Sequence, residues 1–248
     1  MSCDFSNVAD DFFLNANLQT TLALPSGRET ILQFCEAVRK QFPRMTSFYR
    51  RDSGEYVLEG DHEEGSYQWM ELHSQSLSAG YFNPPDLAEA YDLHAWLLER
   101  SVYYLGVSGL DVECLDVLYG FNLDFCGNRD AVTAKAMLEG SPLAALIGQE
   151  AAKPVEFEPS LVVALDEDCH LQARLSLETR SSSYQIRTGT YDDEPISIYF
   201  TIRQYPHPGT AFDIAQSFHR QCQTGEDMVC RVVIPNVVQP IAAAIATA

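Results

Sequence analysis

The chain has 248 residues, of which 46% are hydrophobic and 21% charged, so it can bury a sizeable core and does not have the composition of a disordered polypeptide. Sixteen basic against 35 acidic residues give a formal net charge of −19. Such a charge repels phosphate backbones and anionic lipid, which disfavours nucleic acid and membrane surfaces and favours a basic partner. Its simplest consequence is solubility.

The cysteines and the chain terminus indicate where the protein resides. Seven cysteines are scattered without a C-x-x-C pair, a pattern typical of a reducing compartment and not of a disulfide framework. The N-terminus lacks the basic stretch of a signal peptide, and no apolar run approaches the ~20 residues that span a bilayer. The sequence therefore predicts a cytoplasmic protein with no nucleic-acid or membrane partner.

The first half of the chain alternates between strand and helix signals. Apolar residues in alternation predict a strand over Asn15–Leu24. Ser26 and Glu29 have the spacing of a capping box for a helix that ends at Pro43. Short strands are predicted from there to Phe82.

The next elements follow a proline pair. Asp86, with Glu89 three residues later, is predicted to begin a second helix that runs to about Tyr103. A strand follows at Cys114–Phe125, and a third helix is predicted over Asp130–Leu146.

Residues 148–158 form the best candidate boundary, and the pattern then begins again. The predicted strands are Leu161–Leu165, Cys169–Glu178, Tyr184–Thr190 and Ile196–Tyr205. A helix at Thr210–Cys222, a strand at Met228–Ile234 and a short helix from about Val237 complete the chain.

One local similarity suggests an internal duplication. A pattern of five residues is repeated 121 positions later at a junction of strand and helix, with three identical and two similar residues: Pro85, Ala90, Tyr91, Asp92 and Leu93 align with Pro206, Ala211, Phe212, Asp213 and Ile214. Chance is the rival explanation, because apolar matches are common. The sequence predicts an α+β fold with antiparallel sheets covered by helices. It is organised either as two pseudo-symmetric lobes, 1–148 and 149–248, or as one continuous domain.

Catalytic, metal and nucleotide motifs are missing from the sequence. There is no glycine-rich phosphate loop, EF-hand loop, H-E-x-x-H or G-x-S-x-G, so neither a cofactor nor a metal is predicted. A dispersed active site would draw first on Asp92, His94, Cys126 and Asp213. Cys126 stands where a helix N-terminus could lower the pKa of its thiol. Its alternative is a structural cysteine.

Basic residues are concentrated around the end of the first helix. They are Arg39, Lys40, Arg44, Arg50 and Arg51. Cations at a helix C-terminus complement its dipole, which explains the first two without a function. The alternative is a patch that binds a small anion or an acidic peptide.

The sequence leaves the function open among three classes. The favoured one is a non-catalytic binding protein that takes a basic protein partner, or a small ligand in a cleft between sheet and helix. The others are an enzyme with a dispersed site and an oligomeric structural or assembly protein. A pocket that joins a histidine or cysteine to a carboxylate would favour the enzyme. An exposed apolar patch rimmed by acids would favour the binding protein.

Overall fold

A computed structural model describes residue 5, residues 8–149 and residues 152–248; Cys3 and residues 150–151 of the predicted boundary lie outside these ranges. The described strands form one antiparallel sheet in the order β2-β3-β4-β5-β1-β6-β9-β8-β7. They are β1 (Asp11–Thr20), β2 (Ser47–Arg50), β3 (Tyr56–Glu59), β4 (Tyr67–Leu72), β5 (Ser76–Phe82), β6 (Val112–Leu123), β7 (Ser160–Ala164), β8 (Leu171–Glu178) and β9 (Ile196–Gln204). The predicted α+β class is confirmed.

Helices cover one face of this sheet. They are α1 (Arg28–Gln41), α2 (Leu87–Tyr104), α3 (Arg129–Leu138), α4 (Ala144–Ile147), α5 (Ser183–Thr188), α6 (Ile214–Met228), a π-helix (Val229–Val238) and α7 (Gln239–Ile245), with a short 3₁₀ turn at His62–Glu64. α2 packs on β1 and β5, while α6 packs on β6 and β9 and also touches α2.

The central strand β1 shows why the sheet has this orientation. Its residues alternate strictly between buried and half-buried, and Leu14 and Leu18 are fully buried beneath the helices. β1 pairs with β5 on one side and with β6 on the other. It begins four residues earlier than the alternation predicted, at Asp11.

The two sides of the sheet have corresponding elements. β1 and β6 lie at the centre, β5 and β9 flank them, and each flanking strand leads into one of the paired helices α2 and α6. Leu77 and Ile198, which are separated by the same 121 positions as the repeated residues, are both buried on these flanking strands. The sheet runs unbroken across residue 148. Duplication and the division into lobes stay predictions.

The helix caps explain where several elements begin. The Asp86 side chain accepts a hydrogen bond of 2.8 Å from the Glu89 amide and starts α2, as predicted. Asn128 caps α3 in the same way. The prediction of a capping box at Ser26 was wrong, because the residue that precedes α1 is Gly27 and no side chain caps this helix.

Two predicted strands are helices. The predicted strand Tyr184–Thr190 overlaps α5, which begins with a capping box formed by Ser182 and Gln185 and ends at Gly189 in the left-handed region. Met228–Ile234 belongs to the π-helix and the end of α6. A short run of β-branched residues does not distinguish a buried helix from a strand, and this run continues a helix that is already packed.

The C-terminal helices also bear on the predicted absence of a membrane segment. The helical run Ile214–Ile245 is 32 residues long and contains an 18-residue window with a mean hydropathy of 1.6, so by length and composition it could cross a bilayer. Core helices can satisfy the same criterion. Here the Gln221 amide donates to the carbonyls of Leu115 and Ile202 at 2.6 and 2.9 Å, which binds α6 to the sheet.

Gly225 allows α6 to approach the sheet, and its replacement tests this packing. A Cβ at Gly225 would overlap the ring of Tyr119, which is fully buried. Gly225→Ala should therefore lower the free energy of unfolding by about 1–3 kcal/mol. Alanine in a helix interior normally raises it by about 1 kcal/mol, so the sign is diagnostic. Urea denaturation measures it, with the exposed Gln223→Ala as control; a stabilised Gly225→Ala variant would contradict the packing.

Candidate functional site

A cleft of about 640 Å³ lies between α2 and α6, on the helical side of the sheet. Its buried lining includes Leu98 of α2 and Phe218 and Cys222 of α6. Both helices follow strands of the same sheet, so their spacing is set by the sheet and their facing surfaces leave room between them. Apolar clefts between helices are common binding sites for ligands and peptides.

The mouth of the cleft exposes large apolar side chains. Tyr103 is 73% exposed and Val102 is 44% exposed, and both lie on the last turn and a half of α2. Single exposed apolar residues are ordinary, but a cluster that continues into an apolar cleft is typical of an interaction surface.

Carboxylates rim the cleft. Asp92 and Glu99 lie on exposed positions of α2, and Asp213 lies opposite them at the start of α6. Among the described residues that line the cleft, there is one histidine, His219, and no lysine or arginine. The rim therefore favours a cation and disfavours an anion.

Polar groups near the floor are held in a neutral form. Tyr119 donates to the carbonyl of Cys222 at 3.0 Å, and the hydroxyl of Tyr91 lies 2.8 Å from that of Tyr119. Burial raises the pKa of both phenols and of the Cys222 thiol, and nearby Glu226 raises the thiol pKa further. The thiol is protonated at neutral pH and is a poor nucleophile.

The end of the cleft is fixed by a close backbone contact. The Phe212 amide donates to the Gly109 carbonyl at 3.0 Å, and a Cβ at Gly109 would overlap the backbone of Phe212. Asp111 accepts a hydrogen bond from the Ser108 amide and shapes the same turn. The segment that precedes α6 is thus attached to the loop that follows α2.

The structure does not bring the four candidate catalytic residues into one site. Asp92 and Asp213 both line the cleft, and the Asp213 side chain caps α6 by accepting a hydrogen bond from Gln216. His94 is fully buried, with Nε2 3.0 Å from the Leu14 carbonyl oxygen. Cys126 is exposed in the loop between β6 and α3. Asp92 lies inside α2 whereas Asp213 precedes α6, so the aligned pair occupies different helix positions.

The five basic residues of the predicted anion-binding patch are all exposed, and they lie on two different parts of the structure. Arg39 and Lys40 lie in the last turn of α1 and Arg44 in the loop beyond it. Arg50 ends β2 and donates to the Gly54 carbonyl, while Arg51 forms an ion pair with Glu71. The two hairpin arginines therefore already have protein partners.

A second cavity, of about 520 Å³, lies on the opposite face of the sheet. Asn15, Asn17 and Trp69 line it, together with the ion pair between Arg203 and Asp116, whose atoms are 2.6 Å apart. Its lining is more polar than that of the α2–α6 cleft.

A third arrangement brings metal-ligand side chains together. Among the described residues, Asp168, His170 and His207 each offer a ligand atom within 4.8 Å of the others. The sequence predicted no metal site because these residues lack motif spacing; Asp168 and His207 are 39 positions apart and meet only through the pairing of β8 with β9.

Comparisons with known proteins give no family. No protein-family model matches the chain, and no curated protein is matched. Among solved structures, the chain is similar to the di-domain ARO/CYC protein BexL from the BE-7585A biosynthetic pathway, with 7% identity over 94% of this chain and 98% of that one. The TM-score is 0.23, which is too low to support a shared fold or function.

Proposed function

We propose that this protein is a non-catalytic binding protein whose α2–α6 cleft receives an amphipathic, basic segment of a protein partner. The observation that supports it best is an exposed apolar cleft with carboxylates on its rim and no lysine or arginine in its described lining. An amphipathic helix places its apolar side chains in such a groove and its lysines or arginines against the rim.

The charge distribution favours a basic partner over other occupants. Asp92, Glu99 and Asp213 would repel a fatty acid or phosphate compound, and the net charge of −19 adds to that repulsion. Opposite charges on a partner would raise its association rate and fix its orientation. The apolar floor would supply most of the affinity.

The state of the polar groups also supports binding over catalysis. The buried thiol and phenols beneath the cleft are held protonated, and His94 lies in the core with no exposed surface. A general base must reach the proton that it removes. The cleft offers carboxylates, but the one histidine in its described lining, His219, has its ring Nε2 2.9 Å from the side chain of Gln223 and not on a carboxylate.

Peptide binding tests the proposal. The probe is a fluorescent helical peptide with leucines on one face and lysines on the other, measured by anisotropy, and its matched control carries glutamates in place of the lysines. We expect the lysine peptide to bind at least about tenfold more tightly, with an affinity that falls as salt rises.

Variants locate the site. Val102→Asp places a charge at the apolar mouth and should weaken binding at least about tenfold, while Asp92→Asn with Glu99→Gln should weaken it a few-fold and reduce its salt dependence. Glu36→Gln, on an exposed position of α1, is the control. Equal binding of both peptides, or wild-type affinity in Val102→Asp, would overturn the proposal.

A further inference from the structure

The end of the sheet formed by β8 and β9 carries a cluster of metal-ligand side chains apart from the α2–α6 cleft. Leu171, the first residue of β8, pairs with Gln204, the last residue of β9. The ladder extends one step further, because the Tyr205 amide donates to the His170 carbonyl at 2.8 Å. This pairing brings His170 beside the loop that contains His207.

The two imidazoles lie against each other. Their ring centroids are 4.3 Å apart with an angle of 41° between the planes. Asp168 belongs to the same turn as His170, and the ligand atoms of the three residues all lie within 4.8 Å of one another. We propose that Asp168, His170 and His207 bind a divalent transition-metal ion such as Zn²⁺.

An unsatisfied polar atom is a second, independent reason for this assignment. Nδ1 of the half-buried His170 is enclosed and has no hydrogen-bond partner among the described residues. A buried ring nitrogen without a partner costs free energy. Coordination of a metal ion by that nitrogen would remove this cost.

The turn that presents the ligands is already ordered. The Asp166 carboxylate accepts a hydrogen bond from the Leu171 amide at 3.0 Å, and the Gln172 side chain donates to the Cys169 carbonyl at 2.8 Å. Cys169 itself has a positive φ of 60°, an uncommon conformation that the turn maintains. Little of the backbone must be ordered when an ion binds.

The donor set identifies the class of ion. Two imidazoles and one carboxylate suit Zn²⁺, Ni²⁺, Co²⁺ or Cu²⁺, whereas Mg²⁺ and Ca²⁺ prefer oxygen ligands. A tetrahedral ion with bonds of about 2.0–2.2 Å needs ligand atoms roughly 3.4 Å apart. Asp168 and His207 are exposed, so rotation of their side chains can close the remaining gap. Three protein ligands leave one position for water.

Titration calorimetry with Zn²⁺ alone tests the site on the full chain. We expect His170→Ala and His207→Ala each to weaken the tightest binding event by more than about tenfold, since even the loss of an outer-shell partner commonly costs ~10–100-fold. His62→Ala, which removes an exposed histidine in the 3₁₀ turn far along the sheet from this cluster, should leave it unchanged. Wild-type Zn²⁺ affinity in the His170→Ala/His207→Ala double variant would overturn the assignment.

Cobalt spectroscopy provides a readout of the donor atoms. Co²⁺ bound to the wild-type chain should show d–d absorption without a thiolate charge-transfer band, and Cys169→Ser should retain it. A thiolate band in the wild type that disappears in Cys169→Ser would show that Cys169 is a ligand, and it would refute the proposed donor set. The peptide-binding variants in the cleft leave these ligands intact, so failure of one proposal is distinguishable from failure of the other.

Discussion

Replacement of Arg129 by leucine is expected to lower the free energy of unfolding by about 3–5 kcal/mol. Arg129 is the largest fully buried side chain, and it occupies the first turn of α3. Its guanidinium makes no ion pair with a carboxylate among the described residues. Main-chain carbonyls surround it instead.

The hydrogen bonds of Arg129 connect three segments. Nε donates to the Thr179 carbonyl at 2.6 Å, and Nη1 donates to the carbonyls of Asp192 and Glu194 at 2.8 and 3.1 Å. These carbonyls belong to the loops on either side of α5. Leucine would fill part of the space but leave the carbonyls buried without donors, and each such group costs about 1–3 kcal/mol.

The measurement is urea denaturation at neutral pH. Arg129→Lys should be intermediate, since an ammonium cannot reproduce the planar fork of the guanidinium. Arg187→Leu, on an exposed position of α5, should change stability by no more than about 0.5 kcal/mol. A loss below about 1 kcal/mol in Arg129→Leu would show that the carbonyls find other donors.

Patterns that are local in sequence could be predicted, and Asp86 shows why. A capping residue and the helix that it starts are separated by only three residues, so the signal lies within one short window. The alternation in β1 is equally local. The π-helix was missed because its conformation depends on packing against α6 and the sheet, which a run of valines and isoleucine does not encode.

The candidate sites depend on contacts that are distant in sequence. The sequence predicted Asp92 and Asp213 as candidates and as an aligned pair. The cleft that both residues line exists only because the sheet sets the spacing of α2 and α6. Likewise, His170 and His207 meet because of one register in one strand pair. Arg129 gave no signal, because an arginine beside a helix cap usually points to solvent. Sequence patterns place residues on elements, and the pairing of strands then decides which residues meet.

Acidification is expected to destabilise the protein through His94. The ring is fully buried, with its Nε2 against the Leu14 carbonyl and the ring in a T-shaped contact with that of Phe218. Burial lowers the pKa of His94 to about 4, although the hydrogen bond opposes the shift. In the unfolded chain the pKa returns to about 6.5.

The direction of the effect follows from the protons bound in each state. Between about pH 6.5 and pH 4 the unfolded chain binds a proton at His94 and the folded chain does not, so acid favours unfolding. The free energy of unfolding therefore has its full value above about pH 6.5 and decreases as the pH falls towards the folded pKa. The loss amounts to about 2 kcal/mol by pH 5 and about 3 kcal/mol near pH 4.

Denaturation measured at a series of pH values separates His94 from the carboxylates. In His94→Gln the amide can still donate to the Leu14 carbonyl but cannot titrate, so this variant should lose most of the dependence between pH 6.5 and pH 5. His219→Gln, which alters an exposed histidine, should retain the wild-type slope. Identical slopes in the wild type and His94→Gln would mean that the ring accepts a proton inside the fold. Only that result would make His94 a candidate catalytic base again, since a base must be able to hold the proton that it removes.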